Sequence, residues 1–143
     1  RFSNVYGEYS SHKKSIVTAF IKNILSNKPV LINGDGKHTR DYIFADDLCK
    51  AIYKSIIKCK GNNAFHISTG KETSINKLVN KMKYIFNDSS ITMPEIINKE
   101  NRPGDIRFNS LSTLHTKKEL KWINKTPIDI GLQKTIDWFL NHK

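Results

Sequence analysis

From Ser15 the apolar residues fall at Ile16, Val17, Phe20, Ile21, Ile24 and Leu25, with Lys22 and Asn23 facing the other way. That spacing predicts an amphipathic helix, which Lys28-Pro29 ends. A second helix is predicted after Ser74, a capping residue, from Ile75, Leu78, Val79, Met82, Ile85 and Phe86. Between them Leu48, Ala51, Ile52, Ile56 and Cys59 share one helical face, with Asp46 or Asp47 available as the cap. Two more helices are expected near the end, about His115 to Trp122 and from Asp129 through Trp138.

The remaining apolar runs are short and β-rich. Arg1 to Tyr6 reads as a strand closed by Gly7, Val30 to Ile32 as a second, and Arg40 to Phe44 as a third. Ala64 to Ile67 and Ile91 to Ile97 complete the set, separated by turns at Gly61-Asn62-Asn63, Thr69-Gly70 and Asn87 to Ser90. Strands alternating with helices make the fold class α/β, and no repeat or low-complexity linker marks an internal boundary.

Two loops invite chemistry. Asn33-Gly34-Asp35-Gly36 has neither the GxGxxG spacing of a dinucleotide loop nor the GxxxxGK[ST] of a P-loop, so Asp-Gly between two β-type runs reads as a hairpin or tight turn. In the strand that follows, alternation puts Arg40, Tyr42 and Phe44 on one face and Asp41 and Ile43 on the other. Arg40 is thus either a surface ion-pair partner or a ligand-facing guanidinium. Arg102-Pro103-Gly104-Asp105 makes a bend that presents a cation and, three residues on, an anion. A phosphate and a sugar hydroxyl would suit it, as would a plain local Arg-Asp pair.

The 143 residues, 16.5 kDa, carry a formal charge of +11. Such a charge raises nucleic acid as a partner, but the excess is lysine spread through every helix and not gathered into a stripe with aromatics. No nucleic-acid partner is expected. Arginine stands only at 1, 40, 102 and 107, which hints at bidentate recognition of phosphate or carboxylate at those positions. No apolar run approaches the roughly 20 residues of a membrane span, and no secretory leader opens the chain, so a soluble, cytoplasmic protein is expected. Cys49 and Cys59 suit neither a zinc knuckle nor a redox pair and are expected to be buried or half-buried thiols. Five scattered histidines suggest no metal site.

Five segments, taken in order, resemble one family. RFSNVYG at 1–7, GDGKHTRDYIFADDL at 34–48, FHISTG at 65–70, RPGD at 102–105 and ELKW followed by GLQKTIDW are similar to the C-terminal part of NAD-dependent nucleotide-sugar epimerases and dehydratases. These are the extended short-chain dehydrogenase/reductases typified by UDP-glucose 4-epimerase. The likeness covers essentially the whole chain. It implies that residues 1–143 are a C-terminal nucleotide-sugar-binding portion, made of the last strands of a Rossmann-type parallel sheet plus a small α/β substrate-binding domain. The NAD-binding N-terminal core would lie outside it.

The resemblance also implies roles. Asn4 would bond the diphosphate or substrate, Arg40 a phosphate, Arg102 the diphosphate and Asp105 the ribose hydroxyls, with Leu31 and Asn33 along the nucleobase pocket. The full protein would use NAD on a UDP-hexose through a 4-keto intermediate and pair as a homodimer. The glycines at 34 and 36 would be the turn that aims Arg40. His66, Ser68 and Lys121 depart from the family's usual residues. GxxGxxG is absent, and no residue is assigned to the family's catalytic YxxxK pair, Tyr53 and Tyr84 being followed four residues on by Ile57 and Asp88. As a separate molecule the chain is expected to be inactive. The helices from Ser15 and Ser74 are expected to leave apolar faces uncovered where further strands would pack. A standalone nucleotide-sugar-binding module, or part of a dehydratase or decarboxylase, are the alternative readings.

Overall fold

Ser15 and Ser74 begin their helices in the same way. Each serine sits in extended backbone and its hydroxyl accepts from the amide three residues on, Thr18 at 3.3 Å and Lys77 at 3.2 Å. Each bond satisfies one of the amides that a helix start leaves without an internal partner. The computed structural model describes residues 1–142. In chain order it contains β1 (Asn4–Tyr6), α1 (Ile16–Leu25), β2 (Val30–Asn33), β3 (Thr39–Arg40), β4 (Tyr42–Phe44), α2 (Ala45–Lys58), β5 (Thr73–Ser74), α3 (Ile75–Asp88), β6 (Ile96–Lys99), α4 (Leu114–Leu120) and α5 (Ile128–Asn141).

The strands pair two by two. β1 lies parallel to β4 with Asn4 opposite Tyr42, and β2 parallel to β6 with Leu31 opposite Ile97 and Asn33 opposite Lys99. β3 and β5 are antiparallel, Arg40 facing Thr73. Alternation along β4 divides the core. Tyr42 and Phe44 join Tyr6 and the inner faces of α1, α3 and α5 in one cluster, while Ile43 points into a second with Leu48, Ala51, Ile67, Leu120 and Trp122.

Several expectations are corrected. β2 and β3 flank the glycine turn but pair with different partners, so no hairpin forms there. The run 40–44 breaks at Asp41, because that residue's carboxylate and carbonyl are committed elsewhere. Residues 64–67 contribute a single bridge, Ile67 to Phe2, and β6 begins at Ile96, not Ile91. Neither Asp46 nor Asp47 caps α2; Phe44 holds that position without a side-chain bond, and both acids lie in the first turn, where a helix dipole favours negative charge. α4 stops at Leu120, two residues before Trp122, and α5 runs past Trp138 to Asn141. Cys49 is exposed, whereas Cys59 is half-buried as expected.

The uncovered apolar surface is also elsewhere than expected. α1 and α3 bury their apolar faces against each other's cluster, with Ile21, Leu78, Met82 and Phe86 wholly enclosed. α2 instead leaves Ile52, Tyr53, Ile56 and Ile57 exposed, because only its Leu48 and Ala51 side meets the second cluster.

Candidate functional site

The turn at 34–36 is closed from within. Gly34 and Gly36 adopt φ of +70° and +68°, a region costly for other residues. Both are roofed by asparagine amides: a Cβ on Gly34 would fall 1.9 Å from Asn101 Oδ1, and one on Gly36 2.0 Å from Asn76 Oδ1. The Lys37 amide donates to Asp35 Oδ1 at 2.9 Å, which holds that carboxyl below the usual carboxylate range. The amide that a phosphate would need is therefore occupied, and the turn leads into a strand, not a helix. This is a turn and no phosphate cradle, and with GxxGxxG absent these residues do not fit the NAD pyrophosphate.

Beyond the turn, Arg40 is held by three acceptors. Its guanidinium donates to the carbonyls of Thr39 and Ile106 and forms an ion pair with Asp105. The chain at 105–107 is thus docked on β3, a contact extended by the Thr39 amide donating to Arg107 O at 2.8 Å. Asp105 pairs with Arg40 and not with its neighbour Arg102, whose side chain is exposed. The bend itself is tied by the Asp105 amide donating to Arg102 O.

Asn4, on β1, bonds the next residue along the chain from Arg40. Its side-chain amide donates to Asp41 O at 3.1 Å and its backbone amide to the same oxygen at 3.0 Å. The structure therefore joins Arg40 and Asp105 directly, and fastens Asn4 to the backbone of the residue after Arg40 without a bond to either side chain. Leu31 and Asn33 lie on β2, beside β6 and the loop that carries Arg102; there Asn98 Nδ2 donates to Gly34 O and the Gly34 amide to Lys99 O. No side-chain bond among the described residues joins this second group to the first.

Two acids missed by the sequence reading hold the site's frame. Asp41 is fully buried; its carboxylate accepts from the Thr69 amide and hydroxyl at 3.0 and 2.8 Å, from the Gly70 amide at 2.8 Å and from Ser3 Oγ at 3.3 Å. Asp47 Oδ2 accepts from the amides of Lys125 and Thr126 at 3.0 and 2.8 Å, tying the approach of α5 to the start of α2. Acids flanking the apolar run Tyr42-Ile43-Phe44 carried that signal, since an acid beside a buried strand must be satisfied by bonds.

The sequence reading also overlooks one tyrosine: Tyr9 does stand four residues before a lysine, Lys13. Neither residue lies in a helix. Tyr9 has φ of +59°, is 74% exposed, and its ring lies 5.2 Å from that of Trp138, tilted by 51°. Spacing alone does not place Lys13 to lower a tyrosine pKa, so no catalytic role is assigned to the pair.

Of the departures from the family pattern only Ser68 is explained by its own side chain; the bond at His66 is to its backbone, and nothing in the structure explains the histidine or the lysine at 121. Ser68 is buried and donates to Leu111 O at 3.0 Å, and His66 O accepts from Thr116 Oγ1 at 2.6 Å. Lys121 closes α4 with φ of +51°, a conformation glycine adopts without penalty.

The fold is mixed α/β with two parallel strand pairs, and comparison with known proteins gives it relatives. Residues 1–68 match the NAD dependent epimerase/dehydratase family. The chain is similar to the UDP-glucose 4-epimerase of Mycolicibacterium smegmatis, 29% identical over 97% of the chain and 44% of the relative. A crystal structure of UDP-glucose 4-epimerase with UDP-glucose from Thermotoga maritima superposes with TM-score 0.88 at 31% identity, covering 99% of this chain and 45% of that one. The dTDP-glucose 4,6-dehydratase of Bacillus anthracis in complex with NAD superposes with TM-score 0.85 at 25% identity, covering all of this chain and 44% of that one. Residues 1–68 carry an epimerase-family domain, and the chain as a whole is similar to these epimerases and dehydratases. It spans less than half the length of these relatives.

Proposed function

We propose that this chain is the nucleotide-sugar-binding portion of an NAD-dependent 4-epimerase acting on a UDP-hexose. The observation that carries the reading is Arg40, a guanidinium fixed by two carbonyls and presented beside Asp105, on a frame shared with an epimerase solved with UDP-glucose. Planar guanidinium groups match diphosphate oxygens in pairs, each charge-assisted bond contributing about 1.5 to 3 kcal/mol when partly desolvated. Arg40 and Arg102 would grip the diphosphate, Asp105 the ribose hydroxyls and Asn4 the diphosphate or substrate. Leu31, on the exposed side of β2, and Asn33 would line the base. These residues supply binding and orientation. The redox chemistry would belong to NAD and a tyrosine-lysine pair that these 143 residues do not provide, and the chain alone would be inactive.

Calorimetric titration with UDP tests the reading. Saturable binding that Arg40→Ala and Arg102→Ala each weaken tenfold or more supports it, and unchanged affinity in either variant removes that residue's assignment. The dehydratase likeness supports a second reading of the same grip, in a dTDP-sugar enzyme; tighter binding of dTDP than of UDP would favour it.

A further inference from the structure

A polar cleft of about 300 Å³ opens between the loop at 69–73, the first turns of α3 and the start of α5. Tyr42 contributes to its wall. This residue is 4% exposed, and its hydroxyl is buried with no hydrogen-bond partner among the described residues. A buried hydroxyl left unpaired is costly, and few native ones remain so. The tyrosine stays a donor, because burial holds its ionisation well above the ordinary range.

The surroundings of that hydroxyl favour an anion. Lys71 and Lys77 line the cleft and form no ion pair among the described residues. Of the two carboxylates present, Asp129 is paired with Lys81, while Glu72 accepts from the hydroxyls of Thr39 and Ser110 and keeps its charge; with Lys81 counted, three lysines in the lining face two acids. α5, fourteen residues long, begins at the cleft with Pro127 as its cap, so no side chain satisfies its first amides. Free amides at a helix start and the positive end of its dipole add to the two lysines.

We propose that this cleft is a second anion site, separate from the Arg40 grip, which takes a phosphate group offered free or as a small phosphate ester. One oxygen would accept from Tyr42, others from the first amides of α5 and from Lys71 and Lys77. Glu72, in the wall of the cleft, bonds Thr39, the residue before Arg40, so the cleft adjoins the segment that positions the first site.

The test is titration of the chain with inorganic phosphate and, in a second arm, glycerol 3-phosphate, at ionic strength held constant with chloride. Backbone amide shifts of Lys71, Thr73 and Ile128 report this cleft. Saturable shifts are expected, weakened at least tenfold in Lys71→Ala/Lys77→Ala and at least threefold in Tyr42→Phe, with UDP affinity unchanged within twofold in each variant. The arm that saturates at lower concentration identifies the source. Phosphate should also raise the Tm of the wild type more than that of Tyr42→Phe. Absence of saturation in both arms, binding indifferent to the lysine variant, or an equal loss of UDP affinity would overturn the proposal. The lysine variant alters exposed side chains, so folding does not limit the test.

Discussion

Arg40 and Asp105, 65 positions apart in sequence, form an ion pair that fastens the RPGD loop to β3. The two groups proposed to hold different parts of one ligand therefore hold each other in its absence. Arg40 keeps an Nε and an Nη2 hydrogen outside these bonds, and a diphosphate that also took the Nη2 hydrogen given to Asp105 would exchange one partner for another, which reduces the net gain.

This exchange separates the roles of the two residues. Asp105→Ala leaves Arg40 without its carboxylate competitor, so inorganic pyrophosphate should bind as well as to the wild type or a few times better. UDP, which also presents ribose hydroxyls, should bind several times more weakly. Arg40→Lys should restore little of what Arg40→Ala loses, because an ammonium does not reproduce the planar fork. Parallel calorimetric titrations with pyrophosphate and UDP check this; equal weakening of both ligands by Asp105→Ala would remove the ribose role.

Tyr6 and Gly131 meet at a point where no larger residue fits. A Cβ on Gly131 would lie 2.2 Å from Tyr6 Oη and 3.1 Å from Phe44 Cδ2. In an exposed helix, glycine to alanine gains up to about 1 kcal/mol; here overpacking should reverse the sign. Gly131→Ala is expected to cost about 1 to 3 kcal/mol in urea unfolding. Adding Tyr6→Phe should recover part of that loss by removing the nearest atom. A double variant no more stable than Gly131→Ala would mean that α5 shifts as a whole.

What the sequence made legible follows from how local each signal was. α1 and α3 could be read because a serine cap and a 3.6-residue period lie within one segment. Arg40 and Asp105 were both singled out, but their pairing was hidden, since nothing within either segment specifies a contact across 65 positions. The absent hairpin has the same cause: Asp-Gly sets the turn, whereas β6 and β5, far along the chain, decide what β2 and β3 pair with. Alternation put Asp41 on the face opposite Arg40 but gave it no partner. Its buried role depends on amides at 69 and 70.

Lys121 holds a conformation that costs a non-glycine residue about 1 to 2 kcal/mol. Its side chain is exposed, while its carbonyl accepts from Lys54 Nζ, a contact that a change of side chain leaves in place. Glycine also raises the entropy of the unfolded chain, which offsets part of the gain. Lys121→Gly should therefore stabilise the chain by about 1 kcal/mol. A lower urea midpoint in the variant would show that the lysine stem contributes packing at the end of α4.

Tyr6 and Tyr42 set an alkaline limit on stability. Burial raises both above their ordinary value of 10.0; the charges of Asp47 and Asp129 add to the effect at Tyr6, and Arg40 partly opposes it at Tyr42. In the unfolded chain both ionise near pH 10, while in the folded chain they keep their protons. Above that pH the folded state therefore binds more protons than the unfolded one, and stability falls as pH rises. Below it their contribution is complete and independent of pH. Lysine deprotonation acts in the same range and relieves self-repulsion in a chain of net charge +11, so the wild-type curve mixes two opposing trends. The difference between wild type and Tyr6→Phe/Tyr42→Phe isolates the tyrosines: it should be constant from pH 7 to 9 and should shift progressively in favour of the variant between pH 10 and 11. Parallel curves across pH 11 would mean that the two hydroxyls reach water in the folded protein.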